Sequence, residues 1–344
     1  MTTVYVTHSR YREHHLPGHP EHAGRIQAVW QHLEESGLAA RMQRLEPEPL
    51  DEEHIRAVHT RDYLTALAWL DDQTHITHLD ADTYAGPKAY EIARLSAGGA
   101  VGVVDAVLSG EADNGLAAIR PPGHHAMPSH AMGFCLLGNI AIAARYAQRV
   151  HQIERVMIVD FDVHHGNGTE AMFYDDDSVL FISTHQYPFY PGTGRIDDKG
   201  QSKGKGYTIN IPFPGGHGDA SYAAAFEQVV WPTAARFEPQ LILVSAGFDA
   251  HWTDPLASMR LTLTGYAHLT RELIRIAHQF CGGKIVFVME GGYNLEALGN
   301  GVQNIAYALL GEETISDPLG PPRGSRAEPD AQSLLDQIRQ IHGL

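Results

Sequence analysis

Four short polar clusters in this sequence each follow a run of apolar residues, at the position where a buried strand would end. The runs are residues 116–119, 156–159, 241–245 and 285–289, and the clusters after them are residues 120–125, 160–168, 246–249 and 290–294. Ligand sites of open α/β sheets lie outside the carboxyl ends of the strands. The four clusters therefore predict one shared pocket whose residue types suit metal and acid/base chemistry.

The second and third clusters contain residue types that bind metal ions. Asp162 and His164 are two positions apart, so in extended backbone they project from the same face, about 6.6 Å apart. Asp249 is the candidate third ligand, because it follows another strand and a nearby glycine lets the backbone approach closely. Two carboxylates, one imidazole and open positions for water are typical of a catalytic zinc or iron site. The alternative is that Asp162 and His164 only pair with each other.

The first cluster contains two adjacent histidines, His124 and His125, which suit general acid/base work better than chelation. Asp160 and Asn167 are the candidate partners that would orient their rings. A carboxylate raises the pKa of an imidazole more than an amide does, so His124 is the more basic if it pairs with Asp160 and His125 the less basic if it pairs with Asn167. The alternative is a pair of structural histidines.

Tyr293 follows two glycines, an arrangement that lets its hydroxyl reach a site and donate to a developing oxyanion. Glycines alone would indicate only a turn. Phe134 and Tyr190 lie near other clusters, where they could form the walls of a narrow apolar channel or be ordinary core residues.

Short apolar runs alternate with segments of helical periodicity, which predicts a single α/β domain with one open, mainly parallel sheet and helices on both faces. The predicted strands are residues 116–119, 156–159, 179–183, 207–211, 241–245 and 285–289. The predicted helices are residues 138–150, 219–237, 263–280, 295–310 and 334–341, with a helix pair over 87–108. Asp219 and Thr264 are candidate helix N-caps. Residues 14–22 and 73–82 are interpreted as polar loops or short helices.

Composition excludes several classes of protein. The chain has 344 residues and a net charge of −16, which disfavours nucleic-acid binding. No apolar run approaches the length of a membrane span, and the polar start lacks the apolar stretch of a signal peptide, so no membrane association is expected. Cys135 and Cys281 form no disulfide framework, which fits a reducing, cytoplasmic location. The Gly- and Lys-rich residues 199–206 lack the spacing of a phosphate-binding Walker loop and are interpreted as a surface loop.

The clusters together resemble the histone deacetylase family of the arginase-deacetylase fold, in particular its class II-like and bacterial histone-deacetylase-like amidohydrolase members. Arg-Pro-Pro-Gly-His-His at 120–125, Asp-Phe-Asp-Val-His-His-Gly-Asn-Gly-Thr at 160–169, Ser-Ala-Gly-Phe-Asp at 245–249 and Glu-Gly-Gly-Tyr at 290–293 occur in family order. The resemblance covers residues 1–312, which are predicted to be the catalytic domain. Residues 313–344 are predicted to be a C-terminal linker and helix that pack on it.

The resemblance implies one Zn²⁺ per chain, held by Asp162, His164 and Asp249, with His124 and His125 as the acid/base pair around the metal-bound water. Tyr293 matches the residue that polarises the amide carbonyl, and Asn167 stands where class I members have aspartate. The substrate-binding residues implied are Gly133, Phe134 and Tyr190 in the tunnel, Asp82 at the rim and Arg25 beneath the zinc. Family members also bind monovalent cations, here K⁺ or Na⁺, and the matching residues are Asp160, Asp162, His164, Ser183 and Thr184, then Phe173, Asp176, Val179 and Tyr207.

The substrate implied is acetyl-lysine, or a similar short acyl-lysine, in a peptide or protein. Acetylpolyamine amidohydrolases share the same motifs, but the polyamine-selective vertebrate relative carries a glutamate where this chain has Leu256, and a cationic amine gains nothing from leucine. The loop insertion that constricts bacterial polyamine enzymes is absent before Arg120. Two further alternatives are a non-catalytic acyl-binding module and an arginase-like enzyme with two metal ions.

Overall fold

The computed structural model describes residues 1–322 and 327–344, and at its centre is one sheet of eight parallel strands. The described residues form ten strands, eight of them in this sheet: β1 (Thr3–Val6), β2 (Gln43–Leu45), β3 (Thr77–His78), β4 (Tyr84–Ala85), β5 (Asn114–Ala117), β6 (Val156–Asp160), β7 (Val179–Gln186), β8 (Thr208–Phe213), β9 (Leu241–Ala246) and β10 (Ile285–Met289). The order across the sheet is β2-β1-β5-β10-β9-β6-β7-β8, and every neighbouring pair is parallel. β3 and β4 form a separate antiparallel ribbon.

The central strands are buried along their whole length, which explains their composition. Every residue of β5 to β10 is buried. A strand that is covered on both faces is apolar at successive positions rather than at alternate ones. The runs in the sequence therefore predicted a parallel sheet between two helical layers, and the structure confirms this fold class.

The helices that cover the sheet are α1 (Gly24–Glu35), α2 (Glu52–Ile55), α3 (Arg61–Asp71), α4 (Ala89–Ser109), α5 (Asn139–Val150), α6 (Asn167–Phe173), α7 (Asp219–Ala225), α8 (Trp231–Phe237), α9 (Leu263–Cys281), α10 (Leu295–Leu309) and α11 (Gln332–His342). On one face α4 packs between α3 and α5, and on the other α10 packs between α1 and α9. Residues 226–230 form one wider π-helical turn, so α7 and α8 make the continuous helix that was predicted over 219–237.

Several predicted boundaries were wrong. β1 and β2 were not predicted, because β1 has only three apolar residues in a polar N-terminal stretch and β2 is a largely exposed edge strand without an apolar run. The strand predicted at 116–119 begins and ends two residues earlier, at Asn114 and Ala117; Ala118 and Ile119 are buried just beyond it, and the Ala118 amide still donates to the Val6 carbonyl at 3.0 Å.

The segment 87–108 is one helix, α4, and not a helix pair. Its central Gly98 does not interrupt the helix; a Cβ there would collide with the carbonyl of Glu48, so the glycine allows close packing. By length and composition α4 could cross a membrane, which corrects the expectation that no such segment exists. Its 72% burial, against α3, α5 and the sheet, is that of a core helix.

One of the two predicted N-caps was misplaced and the other has a different role. Thr262, and not Thr264, caps α9, because its hydroxyl oxygen accepts a hydrogen bond from the Gly265 amide at 2.9 Å. Asp219 is the first residue of α7 rather than its cap. Its carboxylate accepts hydrogen bonds from the Thr262 amide at 2.8 Å and from the Thr262 hydroxyl at 2.7 Å, so it joins the start of α7 to the start of α9.

The C-terminal helix α11 packs on β8 and on the π-helical turn. Leu335 and Ile338 on its inner face are fully buried and belong to the main hydrophobic core. The division into a catalytic domain over 1–312 and a C-terminal segment stays a prediction, and residues 323–326 of that segment lie outside the described residues.

Candidate active site

The four strands that precede the polar clusters are neighbours in the sheet. They lie in the order β5-β10-β9-β6, so their carboxyl ends form one continuous edge. The clusters come from distant parts of the chain, yet the parallel register brings them to the same side of the molecule. This arrangement is the reason that four separated motifs form one site.

Asp162, His164 and Asp249 lie together at this edge and are buried. Nδ1 of His164 is 3.2 Å from Oδ1 of Asp162 and 3.1 Å from Oδ2 of Asp249. Among the residues that the structure describes, this trio is the group whose ligand atoms lie within 4.8 Å of one another, as binding to a single ion requires. The second oxygen of each carboxylate is held by the backbone, since Gly291 donates to Asp162 at 2.8 Å and Val163 to Asp249 at 2.9 Å.

The surroundings of this trio fit a zinc ion. Two carboxylates and one imidazole are ligands that Zn²⁺ takes in catalytic sites, where one position stays open. The backbone lies so close to the trio that a Cβ at Gly247 would collide with Asp162, and one at Gly291 with both aspartates. Glycine is therefore required at both positions, because a side chain at either one would displace the carboxylates.

Charge at the trio also calls for a cation. Burial alone would lower the pKa of His164, but its hydrogen bonds to Asp162 and Asp249 raise it to about 10. Two buried carboxylates this close repel each other unless a positive charge lies between them. In the protein without metal, the imidazolium supplies that charge, and a divalent ion would replace it.

The two adjacent histidines take different partners and have opposite pKa shifts. Nδ1 of His124 lies 2.9 Å from a carboxylate oxygen of Asp160, and Nδ1 of His125 lies 2.7 Å from the amide oxygen of Asn167. Burial opposes a charge on His124, yet Asp162 and Asp160 raise its pKa to about 10. Burial, then His124 and His164, lower the pKa of His125 well below its ordinary value. His124 is therefore cationic and His125 neutral near pH 7.

The orientation of the Asn167 amide follows from its other contacts. Its Nδ2 group lies 3.2 Å from the sulfur atoms of both Met127 and Met132, so its oxygen faces His125. An amide oxygen only accepts hydrogen bonds, so Nδ1 of His125 carries the hydrogen. Nε2 of His125 is then left as a proton acceptor.

Glu290 begins the fourth motif, and its role is not evident from the sequence; the structure shows what its side chain contacts. One carboxylate oxygen accepts hydrogen bonds from the amides of Gly123 at 2.6 Å and His124 at 3.2 Å. It therefore fixes the turn that presents the two histidines. Burial raises the pKa of Glu290 to about 7.

Tyr293 follows β10 and reaches the same site. Its ring contacts that of Phe134 edge to face, with centroids 5.7 Å apart, and the guanidinium of Arg25 lies 5.0 Å from its ring centroid. Burial raises the pKa of Tyr293 well above its ordinary value, so its hydroxyl keeps its proton. The backbone here is held by Asp254, whose carboxylate accepts from the amides of Tyr293 at 2.7 Å and Asn294 at 3.2 Å. Asp254 was not among the predicted site residues.

A cavity of about 240 Å³ opens above these groups. Its lining includes eight residues that the sequence singled out, namely Asp82, His125, Gly133, Phe134, His164, Tyr190, Leu256 and Tyr293. Pro20 and Phe189 also line it and were not predicted. The ring of Phe189 stacks on that of His164 at 5.5 Å. The run Tyr-Pro-Phe-Tyr-Pro at 187–191 was a signal for this wall, because it places a second aromatic residue next to Tyr190.

Arg25 does not line this cavity. Its guanidinium is fully buried behind Tyr293, where it donates to the carbonyl oxygen of Gly292 at 2.8 Å and to Glu21 at 3.1 Å. Arg120 also binds Glu21, through Nη2 at 2.6 Å. Burial opposes ionisation of Glu21, but Arg120 and Arg25 lower its pKa to about 2. Arg25 is thus part of a buried ion cluster that supports the site, and its expected place among the substrate-binding residues is corrected.

The residues proposed for monovalent cations fall into two groups. Asp160 and Ser183 are paired across β6 and β7, and the Thr184 hydroxyl donates to the Asp160 carbonyl at 3.3 Å. In the second group, the carbonyls of Phe173 and Tyr207 already accept backbone hydrogen bonds from Asp176 at 3.0 Å and Phe181 at 2.8 Å. Val179, which belongs to the second group, begins β7. Monovalent cation binding at both groups stays a prediction.

Comparisons with known proteins agree with this geometry. The family model described as "Histone deacetylase domain" matches residues 19–309. The chain is 41% identical to "Histone deacetylase 10, chloroplastic" of Oryza sativa subsp. japonica, over 96% of this chain and 79% of that protein. It is 44% identical to the "Histone deacetylase-like amidohydrolase" of Pseudomonas aeruginosa, over 80% of this chain and 72% of that protein. The crystal structure of the HDA15 HD domain matches with a TM-score of 0.90 and 35% identity, over 99% of this chain and 94% of that one.

Proposed function

The chain belongs to the histone deacetylase family, and from that premise we propose that it is a zinc-dependent hydrolase of Nε-acetyl-lysine in peptides or proteins. The family membership makes it a deacetylase, and the predicted resemblance is confirmed. The proposal of zinc-dependent acetyl-lysine hydrolysis rests on the observation that His125, His164 and Tyr293 line one cavity.

The reaction is the hydrolysis of an amide. Water adds to the acetyl carbon, the bond from that carbon to the lysine nitrogen breaks, and acetate and the free amine leave. A zinc ion held by Asp162, His164 and Asp249 would supply Lewis acidity, which polarises a carbonyl oxygen and lowers the pKa of water. All other steps are assigned to side chains of this protein.

His125 is the proposed general base. It is neutral near pH 7, its Nδ1 is occupied by Asn167, and its Nε2 is free to accept the proton of the attacking water. The same proton then passes to the departing lysine nitrogen. Nδ1 of His124 is held by the Asp160 carboxylate, which raises the pKa of the ring and so favours a positive charge beside the reacting atoms.

Tyr293 is the proposed oxyanion donor. Its hydroxyl stays protonated, and its backbone is held in place by Asp254. A donor positioned in this way stabilises the transition state because negative charge on the carbonyl oxygen develops only there. The aromatic rings of Phe134 and Tyr190 suit the apolar stem of an acyl-lysine, and the Asp82 carboxylate at the rim can accept hydrogen bonds from the substrate backbone.

Substrate choice is tested by a direct comparison of two acetylated amines. We would compare kcat/KM of the zinc-loaded protein for an acetyl-lysine peptide and for an acetylated polyamine under the same conditions. A higher value for the peptide is expected, because Leu256 gives a free ammonium group no partner. A higher value for the polyamine would contradict the substrate assignment and leave the deacetylase chemistry intact.

A variant at the cavity rim sharpens this comparison. Leu256→Glu should raise kcat/KM for the acetylated polyamine by about tenfold relative to the peptide, since it introduces a carboxylate beside the cationic chain. Leu256→Gln is the matched control, because it adds polarity without charge. Equal effects of both variants would show that charge at residue 256 does not select the substrate.

Two other proposals from the sequence are distinguished by simple measurements. A non-catalytic acyl-binding module would bind the acetyl-lysine peptide without releasing acetate. An arginase-like enzyme would bind two transition-metal ions per chain, whereas one is expected here. A cytoplasmic location also stays a prediction, which cell fractionation tests.

A further inference from the structure

A second cavity, of about 680 Å³, lies at the amino ends of β6, β7 and β8. We refer to it as the amino-edge cavity; α8 and α11 also contribute to its lining. The active site lies at the opposite, carboxyl edge of the sheet, and β6 contributes to both edges. At about 3.3 Å per residue, the five residues of β6 separate the two edges by roughly 16 Å. Its lining includes none of the residues to which the deacetylase chemistry is assigned.

The amino-edge cavity concentrates positive charge in a chain whose net charge is −16. Three of the chain's five lysines lie within residues 199–205, the segment interpreted from the sequence as a surface loop. Two of these lysines line the cavity. Its lining contains four cationic side chains and two carboxylates, namely Arg155, Lys199, Lys205 and Arg236 with Asp177 and Glu238.

The four cationic side chains of this cavity differ in their contacts. Nε of Arg155 donates to the carbonyl oxygen of Glu238 at 2.8 Å, and Nη1 of Arg236 donates to the carbonyl oxygen of His342 at 2.7 Å. These bonds hold both guanidinium groups in place, and Nη1 of Arg155 also lies 4.0 Å from the carboxylate of Glu154. The ammonium groups of Lys199 and Lys205 have no ion-pair partner in the part of the chain that the structure describes.

Two polar side chains in the lining are buried without a partner among the described residues. The hydroxyl of Thr233 and both ring nitrogens of His342 make no hydrogen bond, although these residues are only 1% and 8% exposed. Burial, then Arg236 and Lys199, lower the pKa of His342 to about 4, so its ring is neutral and has one donor and one acceptor nitrogen. Buried polar atoms are normally satisfied, so these point to a molecule that binds beside them.

We propose that the amino-edge cavity binds an organic phosphate, with Lys199 and Lys205 pairing with the phosphate and the rings of Tyr207 and Phe237 contacting an apolar or aromatic body. Unpaired ammonium and fixed guanidinium groups suit a dianion with several acceptor oxygens. An inorganic anion has no apolar part to pack against these aromatic rings. A volume of about 680 Å³ is within the range of small-molecule sites.

The test uses adenosine 5′-monophosphate as the organic phosphate, with inorganic phosphate and adenosine as its two separate parts. Isothermal titration calorimetry of the full-length, zinc-loaded protein at low ionic strength should give saturable 1:1 binding of the nucleotide. Each part alone should bind at least tenfold more weakly. No saturable binding, or inorganic phosphate binding as tightly as the nucleotide, would overturn the proposal.

Variants localise the binding to this cavity. The double variant Lys199→Gln, Lys205→Gln should weaken nucleotide binding at least tenfold. Lys203→Gln is the matched control, because Lys203 lies in the same loop but does not line the cavity. If Lys203→Gln weakens binding as much as the double variant, the attraction is a general property of the loop and the proposal fails.

A third variant tests the buried hydroxyl. Thr233→Val keeps the shape of the side chain and removes an oxygen that has no partner among the described residues. The Tm of the unliganded protein should therefore hold or rise, while nucleotide binding weakens severalfold. If Thr233→Val binds the nucleotide normally while the lysine double variant binds it weakly, Thr233 is not part of the site. If the lysine double variant and Thr233→Val both bind the nucleotide normally, the proposal is overturned. Equal Tm values of the unliganded proteins show that each variant is folded.

Discussion

Replacing Tyr293 by phenylalanine removes one hydroxyl group and leaves the rest of the site in place. The ring contact with Phe134 and the position of Arg25 over the ring do not involve the hydroxyl. The hydroxyl also makes no hydrogen bond within the part of the chain that the structure describes. The substitution should therefore have little effect on the free energy of unfolding. Any loss of activity would then come from the catalytic step and not from unfolding.

The size of that loss follows from the proposed role of the hydroxyl. Removing one oxyanion donor costs about 10²- to 10³-fold in kcat, or roughly 2.7–4 kcal/mol of transition-state stabilisation. KM for an acetyl-lysine peptide should change little, because the walls that contact the substrate in its ground state are intact. Zinc content, measured by elemental analysis, should stay at one ion per chain.

The matched control is Tyr190→Phe, which removes a hydroxyl from another tyrosine in the lining of the same cavity. Tyr190 has no proposed role as an oxyanion donor, so its variant should lose less than about tenfold in kcat. If Tyr293→Phe loses less than tenfold, or if both variants lose the same amount, Tyr293 does not stabilise the oxyanion and the proposed mechanism is wrong at that step.

Three further variants test other parts of the site. Asp249→Ala should release the metal, and elemental analysis that still finds one zinc ion per chain would identify a different third ligand. Asn167→Asp places a carboxylate against His125 and raises its pKa; because the neutral base is lost as pH falls through that pKa, the acidic limb of kcat/KM against pH should move up by about one unit. An unmoved limb would exclude His125 as the titrating base. Asp254→Asn removes a carboxylate oxygen that holds the Tyr293 backbone, so kcat should fall about tenfold with zinc retained; an unchanged kcat would show that Tyr293 is positioned without it.

The residues that could be identified from the sequence are those that occur together in short segments after apolar runs. Asp162 and His164 are two positions apart, and the edge of the sheet that holds Asp249 was evident from the strand before it. Parallel strands with buried faces have a distinct composition, so the fold class and the location of the site were predictable together.

The residues that were missed act on the backbone of distant segments, and no local pattern reveals this. Glu290 holds amides more than 160 positions away, and Asp254 holds amides about 40 positions away. The burial of Arg25 depends on its pairing with Glu21 and on the carbonyl of Gly292, which come together only in the folded chain. A buried arginine in a cluster and a substrate-binding arginine look the same in a sequence.

The position of β10 in the sheet has a consequence for how the molecule is assembled during synthesis. β10 is the last strand among the described residues, yet it lies in the middle of the sheet, between β5 and β9. Without it the sheet consists of two separate parts, β2-β1-β5 and β9-β6-β7-β8. The two histidines follow a strand of the first part, and the three candidate metal ligands follow strands of the second. A nascent chain that ends before Ile285 therefore contains all five of these side chains but not the strand that joins the two histidines to the metal ligands, so assembly of the whole site requires β10.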